Sequence, residues 1–210
     1  MISEPAVDQE LETILKMAFV AEFRDPDSAN HLLRVSRVSR LLGEELGLDS
    51  QTVRLLELAA PMHDIGKVSI PDNILLKPAA LTADERVTMQ PHTVVGARLL
   101  ADADSPVLRL GEQIARTHHE RWDGTGYPNG LSGEQIPLAG RIVGLADVYD
   151  ALVTRRVYKA AVSPERAAQI LYEDRGKHFD PDVVDAFFAI EDEIRRVYDE
   201  LDEDEGQWLI

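Results

Sequence analysis

Apolar residues recur at steps of three and four along most of this 210-residue chain, and this period constrains the fold more than any other feature. One such stripe comprises Leu32, Leu33, Val35, Val38, Leu41 and Leu42. No sustained stretch alternates apolar and polar residues with the β-branched and aromatic composition of a strand. The sequence therefore predicts an all-α protein.

Capping residues and prolines divide this pattern into about eight predicted helices in a single domain. The helices cover approximately residues 11–19, 32–47, 49–66, 82–100, 105–119 and 141–154, followed by two that begin after Ser163 and Asp180. Pro61 lies inside the third helix and is expected to kink it just before His63. Thr82 and Glu85 have the spacing of a capping box. Residues 121–138 contain four glycines and two prolines and are predicted to form an ordered loop.

The chain contains no cysteine, which excludes disulfides, zinc knuckles, iron–sulfur clusters and thiol catalysis. Any bound metal ion must therefore be held by His, Asp and Glu side chains. Such nitrogen and oxygen ligands suit manganese, iron, zinc or nickel. No Ser-His-Asp arrangement and no phosphate-binding P-loop occurs, so a serine nucleophile and P-loop chemistry are disfavoured.

The histidines form the clearest candidate site. Intervals of 26 to 32 residues separate successive members of the series His31, His63, His92 and His118. Asp147 follows His119 by 28 residues. Each interval matches one helix plus its connection, so successive helices can deliver ligands to a common centre. A lone histidine is more often a satisfied core or surface residue, but a metal cluster explains the whole set better, because burying these groups unpaired would be costly.

Two pairs of candidates are sequence neighbours, His63 with Asp64 and His118 with His119. Adjacent helical residues point about 100° apart, so such a pair does not chelate one ion as an i, i+4 pair does. Either the pair addresses two ions a few ångströms apart, or it holds one ion from the end of a helix. Asp147 is alternatively a buried acid bonded to Arg141 or to a backbone donor.

Five segments in order resemble the HD-GYP family, a branch of the HD phosphohydrolase superfamily. They are HDIGKVSIPDNILLKPAALTADE (residues 63–85), HTVVG (92–96), HHERWDGTGYPNGLSGEQIPLAGRIVGLADVYDAL (118–152), RRVYK (155–159) and GKHFDP (176–181). The resemblance covers roughly residues 27–190, and an ordered series of this kind is far more specific than an isolated His-Asp pair. It implies an HD-type helical bundle with an ordered Gly-Tyr-Pro loop.

The resemblance implies a cytoplasmic bacterial phosphodiesterase that linearises cyclic di-GMP to pGpG and often hydrolyses it further to GMP. It also implies two or three divalent metal ions, iron or manganese, which activate water and neutralise phosphate charge. The implied metal ligands in this chain are Asp27, His31, His63, Asp64, His92, His118, His119 and Asp147. Asp64 is expected to bridge two ions. Asp27 stands where many family members have Glu, but it lies four residues before His31 and could still share a third ion with it.

Four further residues are candidates for the chemistry. Lys67 is expected to contact a non-bridging phosphate oxygen or to assist the leaving oxygen, unless it only complements a helix C-terminus. Arg156 and Lys159 resemble the family's second phosphate clamp. Asp150 is expected to orient a ligand or relay a proton, or merely to cap structure. His178 lies outside the ligand series and is expected to brace its own turn.

The Gly126–Tyr127–Pro128 element has two interpretations, a rigid turn beneath the metal ligands or a contact surface for synthases with GGDEF domains. Two other functions also stay open. One is an HD hydrolase of another nucleotide, such as a cyclic GMP-AMP dinucleotide, and the other is an adaptor that binds nucleotide or a synthase without turnover. The complete main ligand series favours the active enzyme, and only Asp27 favours reduced activity.

The net charge of −16 disfavours long nucleic acids and anionic membranes as partners. The acidic net charge does not exclude a small cyclic dinucleotide that binds in a metal-lined pocket. Nine carboxylates and only two arginines lie in residues 191–205, so much of the excess negative charge lies near the C-terminal end of the sequence. No apolar run is long enough to span a membrane and the start has no secretory signal, which predicts a cytoplasmic protein.

The organisation predicted from these features has three parts. Residues 1–25 are expected to form an N-terminal helix and lead-in, residues 26–190 the HD-GYP domain, and residues 191–210 an acidic C-terminal helix or tail packed on it or extending from it. The lead-in is too short for a receiver or sensory domain, so the chain is expected either to stand alone or to be a fragment.

Overall fold

The computed structural model describes residues 13–14, 16–20, 28–154 and 161–203. Ten α-helices lie in the last two ranges: α1 Ser28–Glu45, α2 Ser50–Ala59, α3 Asp72–Leu75, α4 Ala83–Met89, α5 His92–Leu100, α6 Pro106–Thr117, α7 Leu138–Val153, α8 Pro164–Glu173, α9 Pro181–Ala189 and α10 Glu191–Glu203. Three 3₁₀ helices lie at Ala60–Met62, Ile65–Ser69 and Gly133–Gln135. The described residues contain no strand, which confirms the predicted all-α class. Every helix in these ranges is too short or too polar to cross a membrane.

The predicted N-caps begin four of the helices. Asp49 accepts hydrogen bonds from two backbone N–H groups of the first turn of α2. Thr82 and Glu85 form the predicted capping box at the start of α4. Ser163 and Asp180 each accept a backbone N–H and are each followed by a proline, which cannot donate a hydrogen bond but fits the first helical position.

Two prolines interrupt helices that the periodicity predicts to continue. The kink predicted at Pro61 coincides with an observed break, whereas the predicted continuation of that helix to residue 66 and the predicted unbroken helix over residues 82–100 are wrong. The α-helical part of α2 ends before Pro61 and tightens into a 3₁₀ turn, and Pro91 separates α4 from α5. The cause is the same at both places, because proline cannot donate the helical N–H bond. Both breaks lie directly before a candidate metal ligand, His63 and His92 respectively.

The hydrophobic core joins α1 to α7. Helix α1 packs against α2, α7, α9 and α10, and α7 also packs against α6, α8 and α9. Val35 and Val38 of α1 and Ile142 and Leu145 of α7 are fully buried. Burying an aliphatic side chain of this kind stabilises a fold by about 1.5–3 kcal/mol. The two helices are therefore a rigid base for the candidate ligands that they carry.

Helix α10 contains much of the acidic C-terminal segment, yet it has a buried face. Ile194, Val197 and Leu201 follow one another at helical spacing, and all three are buried. Helix α10 packs with this face on the bundle, including α1.

The loop after α6 is joined to the turn before α9 by backbone hydrogen bonds. The N–H of Trp122 donates to the carbonyl of His178 at 3.0 Å, and the N–H of Asp123 donates to the carbonyl of Lys177 at 2.8 Å. The His178 ring stacks on Phe179 with ring centroids 4.2 Å apart. His178 thus packs within its own turn.

His178 makes the stability of the fold sensitive to mild acid. Burial, and then the nearby Arg121 guanidinium, lowers its pKa from 6.5 to about 4. As the pH falls, the unfolded chain binds a proton at His178 before the folded chain does, so this contribution to stability is full above about pH 6.5 and is lost towards about pH 4. Between about pH 7 and about pH 5, wild type is expected to lose about 1 to 2 kcal/mol more unfolding free energy than His178→Gln. Urea denaturation of both proteins at several pH values in the presence of a chelator measures this difference. The prediction is refuted if the unfolding free energy depends on pH in the same way in both proteins.

Candidate metal centre

Seven side chains from separate parts of the bundle converge in two adjacent groups. The Asp64 group consists of Asp64, His92, His118 and His119. The His31 group consists of His31, His63 and Asp147. Within each group the candidate ligand atoms lie within 4.8 Å of one another. All seven are residues that the sequence predicts as metal ligands.

The breaks between elements bring these residues together. His31 lies on α1 and Asp147 on α7, whereas His63 and Asp64 follow the 3₁₀ turn after α2. His92 is the first residue of α5. His118 and His119 come directly after α6, which ends at Thr117, and this placement favours the arrangement in which the pair holds one ion from a helix end. Their ring centroids lie 4.0 Å apart within one group.

Backbone carbonyls fix the orientation of three histidine rings. Nδ1 of His63 lies 2.9 Å from the carbonyl of Ala60, and Nδ1 of His92 lies 2.7 Å from that of Met89. Nδ1 of His118 lies 3.1 Å from the carbonyl of Ile114. Since a carbonyl only accepts, each Nδ1 carries the proton and each Nε2 presents a lone pair to the centre. This arrangement behind a ligating histidine is typical of protein metal sites.

Asp64 lies at the junction of the two groups. Its Oδ1 is 3.1 Å from Nε2 of His92 and 3.5 Å from Nε2 of His118, and its Oδ2 is 3.4 Å from Nε2 of His63. The Lys67 ammonium lies 2.5 Å from Oδ2. Burial opposes ionisation, but the Lys67 ammonium holds the pKa of Asp64 well below its ordinary value. Asp64 is therefore a carboxylate with oxygens directed at both groups.

Three buried atoms at this junction lack a hydrogen-bond partner in the described part of the chain. They are Oδ1 of Asp64, Nε2 of His92 and Nε2 of His118. Leaving one buried polar atom unsatisfied costs about 1–3 kcal/mol, and here three acceptors point towards one another. A divalent cation would satisfy all three at once, so the residues present fit a metal ion.

Two imidazoles of the Asp64 group, those of His118 and His119, lie in surroundings that favour the neutral form. Burial lowers the pKa of His118, although the neighbouring Asp64 carboxylate opposes this shift. Burial, and then His118 itself, lowers the pKa of His119 well below its ordinary value. Neutral imidazole is the form that ligates metals, so the environment favours ligation.

The His31 group brings two imidazole nitrogens and one carboxylate oxygen together. Nε2 of His31 lies 3.4 Å from Nε2 of His63 and 3.7 Å from Oδ1 of Asp147. Oδ1 of Asp147 is 4.0 Å from Nε2 of His63. Arg141, the alternative partner of Asp147, instead donates to Asp180 and to the carbonyl of Ile136.

Comparison with known proteins agrees with this architecture. The family described as HD domain matches residues 12–183, which is most of the chain. The chain belongs to the HD domain family. The family predicted from the ordered motifs is thus confirmed.

This HD domain is also similar to individual proteins. A protein of Thermotoga maritima named cyclic di-GMP phosphodiesterase is 47% identical over 93% of this chain and 53% of its own length. The cyclic di-GMP phosphodiesterase response regulator RpfG of Xanthomonas campestris is 48% identical over 85% of this chain and 47% of its own length. The chain thus spans about half the length of these relatives. A solved cyclic GMP-AMP specific phosphodiesterase of V. cholerae has the same fold, with a TM-score of 0.64, 22% identity, and coverage of 91% of this chain and 50% of that one.

The Gly-Tyr-Pro loop of this HD domain lies against the Asp64 group. The Tyr127 ring is 4.9 Å from the His119 ring. A Cβ atom on Gly126 would lie only 2.4 Å from the backbone nitrogen of Arg121 and 2.6 Å from the carbonyl oxygen of His119, so no side chain fits there. Gly126, Tyr127 and Pro128 are half-buried. Their use as a partner surface stays a prediction.

The remaining predicted site residues fall in different places. Lys67 contacts Asp64, and Asp150 accepts a hydrogen bond from His31 on the side away from His63. Asp27, Arg156 and Lys159 lie outside the described residues.

Two buried residues beside the centre escape the sequence-based prediction. Glu120 accepts the backbone N–H groups of Asn129 at 2.8 Å and Leu131 at 3.0 Å, and so anchors the Gly-Tyr-Pro loop. Arg34 donates from Nε to Asp150 at 2.5 Å. The signal for Arg34 was its position three residues after His31, which puts both on one helix face. Glu120 directly follows the two histidines but has no distinctive spacing of its own.

Proposed function

We propose that this HD domain is a metal-dependent phosphodiesterase that hydrolyses cyclic di-GMP to pGpG, GMP or both, in second-messenger signalling in the bacterial cytoplasm. The observation that carries the proposal is the junction of two ligand groups at Asp64, where buried acceptor atoms lack partners among the described residues. The similarity to two proteins named cyclic di-GMP phosphodiesterases supports this substrate for the shared segment.

The Asp64 group and the His31 group would each hold one divalent ion, iron or manganese, with Asp64 as the bridge. Mixed imidazole and carboxylate ligands suit both metals. When bound, the ions supply an activated water near neutral pH and neutralise charge on the phosphate. A third ion would need Asp27 beside His31.

The chain's own cations would bind the substrate. Lys67 holds Asp64 ionised through its 2.5 Å contact, and its partly exposed side chain is proposed to contact a non-bridging phosphate oxygen. Arg156 and Lys159 are proposed to bind the second phosphate of the cyclic dinucleotide. Asp150 does not face the reacting atoms in this proposal, since its carboxylate accepts from His31 and Arg34.

The loop tip is the proposed contact surface for GGDEF-domain proteins. Asn129 and Gly130 are exposed next to the half-buried Gly126, Tyr127 and Pro128. Glu120 holds this tip in place through the backbone of Asn129. An adaptor that uses this surface without turnover is the alternative function.

Turnover by the purified full chain tests the proposal. We expect anaerobic protein supplied with Fe²⁺ or Mn²⁺ to consume cyclic di-GMP, and a chelator to abolish the reaction. Chromatography of the products separates pGpG from GMP. A parallel assay with 3′3′-cGAMP is expected to give a kcat/KM at least about tenfold lower. Tight binding of cyclic di-GMP without turnover in the presence of either metal would favour the adaptor function. Faster hydrolysis of 3′3′-cGAMP than of cyclic di-GMP would identify 3′3′-cGAMP as the substrate instead.

A further inference from the structure

A buried line of contacts runs from α10 to His31, behind the His31 group. The ring centroid of Tyr198, on α10, lies 5.6 Å from the guanidinium carbon of Arg34. Nε of Arg34 donates to Oδ1 of Asp150 at 2.5 Å, and a second guanidinium nitrogen lies 3.4 Å from Oδ2. Oδ2 accepts from Nδ1 of His31 at 2.7 Å. The side chains of Tyr198, Arg34 and Asp150 thus connect the last described helix to His31, a candidate metal ligand.

The burial of this line makes its geometry demanding. Arg34 is 5% exposed and Asp150 is 1% exposed. A buried ion pair is favourable only with good geometry and with its remaining polar atoms satisfied, because both charges have left water. An aromatic face over a guanidinium attracts the cation and excludes water from it. Tyr198 supplies such a face from a different helix than the one that carries Arg34.

The orientation of His31 depends on contacts between distant residues, unlike that of His63, His92 and His118. His63, His92 and His118 are oriented by carbonyls within four residues of themselves. The Nδ1 partner of His31 is instead a side chain 119 residues away, on α7. Its orientation therefore follows from tertiary packing.

We propose that the Tyr198 ring is a positioning residue for the His31 group. It holds Arg34 against Asp150, and Asp150 keeps Nε2 of His31 directed towards His63 and Asp147. The HD domain match ends at residue 183, so this contribution comes from beyond the matched segment. The inference rests on the proposed metal-dependent function.

Two substitutions at Tyr198 in the full chain test this role. Tyr198→Leu removes the aromatic face, whereas Tyr198→Phe keeps it. In Mn²⁺ titrations analysed by equilibrium dialysis and elemental analysis, we expect Tyr198→Leu to weaken one of two binding steps about 10- to 100-fold and to leave the other unchanged. Tyr198→Phe is expected to bind both ions as wild type does. In metal-free protein, ¹⁵N-histidine NMR is expected to show the hydrogen-bonded Nδ1–H signal of His31 in wild type and Tyr198→Phe, and to show it weakened in Tyr198→Leu.

A matched control separates this role from simple docking of α10. Ile194→Ala truncates a buried aliphatic side chain of the same helix and is expected to lower stability while keeping both Mn²⁺ affinities. The inference is overturned if Tyr198→Leu binds both ions like wild type, or if Tyr198→Phe or Ile194→Ala weakens binding equally. If Tyr198→Leu does not fold, Arg34→Lys takes its place, because lysine keeps the positive charge but lacks the planar guanidinium group. It is expected to weaken the same single Mn²⁺ binding step, and unchanged binding of both ions overturns the inference. If wild type binds neither Mn²⁺ nor Fe²⁺, the proposed function is refuted instead, and the metal-free NMR comparison still decides the inference.

Discussion

Asp64→Asn is expected to abolish metal binding and to lower phosphodiesterase activity by about a thousandfold or more, which corresponds to a loss of several kcal/mol of transition-state stabilisation. The carboxylate lies within 3.5 Å of three candidate ligand nitrogens, one of them in the other group. An amide of the same shape keeps one oxygen, loses the negative charge, and directs an NH₂ donor at Lys67 or at the junction. Elemental analysis after dialysis and the cyclic di-GMP assay measure the two losses.

Asp180→Asn is the matched control, because Asp180 is also a buried aspartate paired with a cation, Arg141, but belongs to neither ligand group. It is expected to lower thermal stability and to keep bound metal. Circular dichroism of both variants checks that they stay helical. Full metal content and activity in folded Asp64→Asn would rule out Asp64 as the bridge.

The helical period and the caps were enough to predict the fold class and most helix starts. Asp49, Thr82, Ser163 and Asp180 act locally, so their effect is visible in a single sequence. The sequence predicts only a kink at Pro61, and it does not predict the break at Pro91. Apolar periodicity continues across them, although the backbone hydrogen bonding does not.

The site was predictable as a set of residues but not as a geometry. Spacing indicates that successive helices can deliver His31, His63 and His92, and the family resemblance adds the rest. Neither the spacing nor the resemblance shows which candidate ligand belongs to which group, because this depends on where the helices end and how they pack. The role of Arg34 depends on its contact with Asp150, 116 residues away, which its position on the same helix face as His31 does not reveal. The role of Glu120 depends on the conformation of the loop that it anchors.

Gly66→Ala is expected to lower the free energy of unfolding by at least about 3 kcal/mol and to reduce metal binding at the Asp64 group. A Cβ atom on Gly66 would lie 1.9 Å from the carbonyl oxygen of His92 and 2.5 Å from the nitrogen of Gly96. Both are backbone atoms of α5, so the helix itself must move. Because His92 begins α5, that movement is expected to carry this candidate ligand away from Asp64.

Gly43→Ala provides the contrast within helix α1, since a Cβ atom there would meet only side-chain methyl groups, of Leu56 at 3.2 Å, Leu48 at 3.5 Å and Val53 at 3.6 Å. Adding a methyl group at a helical glycine restricts the unfolded chain, so this variant is expected to match wild type or to gain about 0.4–1 kcal/mol. Urea denaturation followed by circular dichroism gives both free energies, and Mn²⁺ content gives the effect on the site. An unfolding free energy of Gly66→Ala within about 1 kcal/mol of wild type would mean that α5 can shift cheaply, and that the close backbone contact does not fix His92.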